Sequence, residues 1–121
     1  MTELHADHKK WIEVLQFYSD ELVSYNLRLE EVVKANSKLD IKSQIEHFQN
    51  QFIRQKEVID ILKHDINLSE KSLQVVIASN PVATDRKRTS DEPELRDQMI
   101  TFEKIFVEIK EEFKKFLATI L

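Results

Sequence analysis

The chain has 121 residues, no glycine, no cysteine and two prolines, with a formal net charge of −4 at pH 7. Lack of glycine disfavours the tight hairpins and phosphate-cradling loops that use positive φ, and lack of cysteine excludes disulfides, thiolate metal sites and cysteine nucleophiles. A negative balance argues against a general nucleic-acid binder, which needs a basic face to neutralise phosphates.

The length suits one domain, 1–121, with a core of its own. No apolar run reaches membrane-spanning length, and the opening MTELHADHKKW mixes acids and histidines where a secretory leader is apolar. The expectation is a soluble, cytoplasmic protein with neither membrane nor nucleic acid as partner.

From Leu4, steps alternating between four and three reach His8, Trp11, Leu15, Tyr18, Leu22, Tyr25, Leu29 and Val32. All but His8 are large and apolar or aromatic. This spacing keeps one stripe of a helix against a partner over several heptads. It predicts a first helix near 3–36.

Beyond it the alternation breaks across Asn36, Ser37, Lys38, Leu39 and Asp40, where an S-x-x-D pattern can cap a new helix. The second seam then runs Ile41, Ile45, Phe48, Phe52, Gln55, Ile59, Leu62, Ile66, Ser69, Leu73 and Val76, predicting a helix near 38–78. So short a connection makes the first two helices antiparallel neighbours. Gln55 and Ser69 interrupt this seam, and such polar interruptions can fix register at some cost in stability.

Ser79, Asn80 and Pro81 end the second helix, and a mobile connection at about 79–91 follows. It holds Arg86, Lys87 and Arg88 followed by Thr89 and Ser90, hydroxyls whose phosphorylation could pair with the arginines. Ser90 or Asp91 can cap a third helix near 91–120, with Pro93 in its first turn. Its seam is Leu95, Met99, Phe102, Phe106, Ile109, Phe113, Phe116 and Ile120. Burying three such seams together predicts an all-α, elongated up-down-up antiparallel three-helix bundle. Glu92 with Arg96 and Glu111 with Lys115 have the four-residue spacing of solvated surface pairs.

Apolar residues remain once the seams are assigned. Ile61, Leu68 and Val75 form a row on the second helix, with His64 on the same outer face, and Ile100 and Val107 form a shorter row on the third. Phe17, Val23 and Leu27 are left over on the first. Rows at helical spacing suggest a surface that another helix covers, so a homo-oligomer or another helical protein is the expected partner.

The antiparallel register brings position 8 opposite a position near 67. His5, His8, His64 and Asp65 therefore fall at one end of the rod, with Glu103 approaching from the third helix. Ligands from separate helices at one level are how bundles build metal sites, so a transition metal ion is the alternative to a chain with no cofactor. The competing reading makes His8 a core residue hydrogen-bonded to Ser69 or Asp65. His47 is expected in solvent. No strand or glycine turn supports a nucleophilic triad or nucleotide fold. The functional expectation is a non-enzymatic helical interaction or scaffolding protein.

Overall fold

The computed structural model describes residues 3–35, 39–79 and 93–120, and of Leu39 and Asp40 the backbone alone. They form three helices: α1 Glu3–Ala35, α2 Leu39–Ser79 and α3 Pro93–Ile120. Among the described residues there is no strand. The capping pattern at Ser37, the Ser90 or Asp91 cap, the basic run Arg86 to Arg88 and the hydroxyls of Thr89 and Ser90 lie outside the described residues. At ~1.5 Å per residue the helices are about 50, 60 and 40 Å long.

Cross-helix contacts set the topology. His5 meets Glu70 and Gln16 meets Lys63, so α2 descends as α1 rises. Phe48 meets Phe116 and Phe52 meets Phe113, so α3 is antiparallel to α2. Arg96 reaches Asp7 and Lys110 reaches Glu21, both 89 residues apart, which makes α3 parallel to α1 in constant register. The bundle is up-down-up.

The predicted seams form the core. Leu15, Leu22, Leu29 and Val32 of α1 pack with Ile45, Phe48, Phe52, Ile59, Leu62 and Ile66 of α2 and Met99, Phe102, Phe106, Ile109, Phe113 and Phe116 of α3. Trp11, Tyr18 and Tyr25 sit at its margin, half-buried. Phenylalanines fill four of the six buried positions of α3, whereas those of α1 are mostly leucine. Their bulk holds α3 away from its neighbours, and α1 and α2 approach most closely.

Between α1 and α3 the packing is aromatic. Tyr18 lies 4.4 Å, ring centre to ring centre, from Phe106, and Tyr25 lies 5.5 Å from Phe113. Both hydroxyls reach the bundle edge. That of Tyr25 donates to Glu21 Oε2 at 2.5 Å, and Glu21 also pairs with Lys110 at 3.6 Å. Burial, the hydrogen bond to Glu21 and the charge of Glu21 push the Tyr25 phenol well above its ordinary range. Burial, Glu103 and Glu21 raise that of Tyr18.

One expected surface pair is replaced, and the other, Glu92 with Arg96, includes a residue outside the described ones. Arg96 reaches across to Asp7 on α1 at 3.1 Å, tying two helices together. Glu111 engages Lys114, one residue nearer than the expected Lys115, at 3.7 Å. Both pairs are largely exposed, where such contacts contribute little.

Candidate functional site

Three places combine side chains beyond what the core requires: the histidine end, the exposed aliphatic rows, and a groove between α2 and α3.

At the first, α1 brings His5 and His8 to one carboxylate of α2. His5 Nδ1 lies 2.7 and 3.0 Å from the two oxygens of Glu70, and His8 Nδ1 lies 3.5 Å from Glu70 Oε2. Their three-residue spacing puts the imidazoles on neighbouring turns of one face. His8 is 2% exposed and tilts against Trp11 at 5.8 Å; it occupies the seam as a buried polar residue. The carboxylate at this level is Glu70, not the expected Asp65.

The other two members of the expected metal set lie elsewhere. His64 is exposed on the outside of α2. Asp65 is five residues from Glu70, about 140° round the helix, and faces the groove shared with α3. Glu103 lies seven residues beyond Arg96, which marks the level of Asp7, and so faces Tyr18 rather than the histidines. No group of three or more His, Asp or Glu side chains among the described residues is arranged to hold a metal ion. Periodicity missed Glu70 because an acid one step off the seam looks like any surface acid until the α1–α2 register is known. His47, expected in solvent, is exposed yet bonds Glu112 of α3 at 3.0 Å.

At the second place, the residues expected to form an interface are exposed. Ile61, Leu68, Val75, Ile100 and Val107 range from 47% exposure at Val107 to 67% at Val75. They make two surfaces. Ile61, Leu68 and Val75 repeat every seven residues and drift by only about 20° per step along one flank of α2, on the side of the α2–α3 groove. Ile100 and Val107 share the far side of α3: Ile100 is about 40° from Arg96, which reaches α1, and about 140° from groove-lining Ile105. Phe17 on α1, also more than half exposed, lies on the α3-facing flank of its helix.

The third place is the groove, a concavity of about 710 Å³. Buried Leu62 and Phe102 lie at its base, and Val58, Ile61 and Ile105 line its walls. Asp65, Glu94 and Asp97 line one end, and Gln51 and Arg54 the other. Gln55, at 4% exposure, also lines it. The groove lies between two helices, α2 and α3, and its existence depends on their separation and rotation, which apolar spacing does not encode.

No helix among the described residues is long and apolar enough to cross a membrane. No family model, no curated protein and no solved structure matches the chain.

Proposed function

We propose that this chain is a non-enzymatic helical interaction module that associates with copies of itself through its exposed aliphatic rows. The observation that carries this reading is the row Ile61, Leu68 and Val75, left in water beside a core already complete without it. Finishing the burial of a half-exposed aliphatic side chain is worth about 1 kcal/mol, and association costs roughly 4–15 kcal/mol in lost freedom. Three or five residues on one copy are too few. A two-fold pair uses the covered row twice, roughly 6 kcal/mol for the three-residue row of α2, which brings the gain into the range needed. A cytoplasmic setting accords with this reading, since a cysteine-free chain draws no stability from an oxidising compartment.

The test is light scattering across a concentration series, on the wild type and on Leu68→Glu and Val107→Glu separately. The expected result is a mass above the monomer for the wild type and a lower mass for the variant whose row is covered, with helicity by circular dichroism retained in both. A wild type that stays monomeric at every concentration refutes the proposal. Because the two rows lie on different faces, the variant that dissociates also identifies the interface.

A further inference from the structure

We infer that the groove between α2 and α3 receives the apolar face of a helix from another protein, one carrying lysine or arginine at the end that meets Asp65, Glu94 and Asp97. Three independent features converge there.

The first is shape and polarity. A concavity of about 710 Å³ with Val58, Ile61 and Ile105 on its walls takes the side chains of a few turns of an amphipathic helix, a recurrent mode of peptide recognition.

The second is Gln55. Its side chain is nine-tenths buried and lines the groove, and among the described residues nothing hydrogen-bonds its amide. Its amide atoms reach the groove and are open to a hydrogen bond from one polar side chain on the incoming helix, which fixes the register of that helix.

The third is charge. Asp65, Glu94 and Asp97 converge at one end, and among the described residues no cation pairs with any of them. The neighbouring cations are engaged elsewhere, Arg96 with Asp7 and Lys63 with Gln16. Arg54 at the opposite end is already paired with Glu57. Glu94 is in the first turn of α3, where a carboxylate suits the helix dipole, but Asp65 is in the middle of α2 and has no such use. Among the described residues the groove therefore runs from a neutralised end to an anionic one. A second copy brings a net charge of −4 to that anionic end, whereas a basic helix is drawn to it.

The test uses two synthetic Leu/Ala peptides of about five helical turns. One has lysines in its final two turns, and the other is identical but has glutamates there. Binding to the full chain is followed by calorimetry, alongside the solution mass at the same concentrations.

The expected result is that the lysine peptide binds about tenfold or more tightly than its twin, and less tightly as salt rises. Asp65→Lys with Asp97→Lys reverses the preference, and Ile105→Glu abolishes both interactions while helicity is kept. Equal binding of the two peptides, binding of neither, or indifference to the charge reversal overturns the inference. So does a fall in mass on Ile105→Glu with peptide binding confined to the dissociated chain, since a second copy then fills the groove. Ile61 belongs to both surfaces, so the solution mass is read beside every titration: peptide binding lost with the mass unchanged defeats this inference alone, and a monomeric wild type that still prefers the lysine peptide defeats only the self-association.

Discussion

His5 Nδ1 on α1 sits 2.7 Å from Glu70 Oε1 on α2, 65 positions further along the chain. The same carboxylate lies 3.5 Å from the buried His8, so one acid of α2 serves two histidines of α1 and pins the register of their antiparallel pair.

Glu70→Ala removes that shared partner and leaves His8 in the core beside the space vacated. The expected loss of stability is about 0.5–1.5 kcal/mol, the net worth of the hydrogen bond to His5, since Glu70 lies near His8 Nδ1 without hydrogen-bonding it. His5→Ala, at a half-buried position, costs less. Urea denaturation of both single variants and the double variant should give a coupling above about 0.5 kcal/mol. Strict additivity means the contact contributes nothing to folding.

Phe106 is fully buried and packs against Phe102, Tyr18 and Tyr25. Phe106→Ala is expected to cost about 3–5 kcal/mol, because transfer free energy is lost and the rigid aromatic wall collapses only partly. Loss of near-ultraviolet dichroism from the tyrosines should accompany the lowered Tm. A variant with wild-type Tm and spectrum places this ring outside the core.

The raised phenol of Tyr25 gives a dependence on alkali. With the folded value above the unfolded one, its contribution to stability is complete below pH ~10 and falls as pH climbs past the unfolded value towards the folded one. Tyrosinate absorbance in the native protein should therefore lag behind that in denaturant. Tyr25→Phe should flatten the alkaline loss of stability by a measurable fraction. Two phenols titrating together near pH ~10 in the native protein contradict this environment.

Gln55 is a buried polar residue on the largely apolar seam of α2, between Phe52 and Ile59. Gln55→Leu keeps the approximate volume and removes an amide that no described residue bonds, so Tm should rise, by an amount corresponding to about 1 kcal/mol. A drop in Tm shows that the amide has a stabilising partner within the folded chain.

The architecture was legible because its signal is local and repeated. An apolar side chain at nearly every third or fourth residue from Leu4 to Val32, from Ile41 to Val76 and from Leu95 to Ile120, interrupted at His8, Gln55 and Ser69, leaves a glycine-free chain one economical solution, three helices sharing a core. The same periodicity marked Ile61, Leu68, Val75, Ile100 and Val107 as surplus, and all five are exposed.

What depended on tertiary structure was every relationship between helices. Apolar spacing gives the face a residue occupies on its own helix, but neither the axial offset nor the rotation of its neighbour. Asp65 and Glu70 look equivalent as acids near the seam of α2, yet one faces a groove and the other the histidines. Ile100 and Val107 look like an extension of the α2 row, yet α3 turns them to its far side. The groove itself depends on how far apart and at what rotation α2 and α3 stand around Leu62 and Phe102, and an apolar pattern counts such residues but does not measure the space between them.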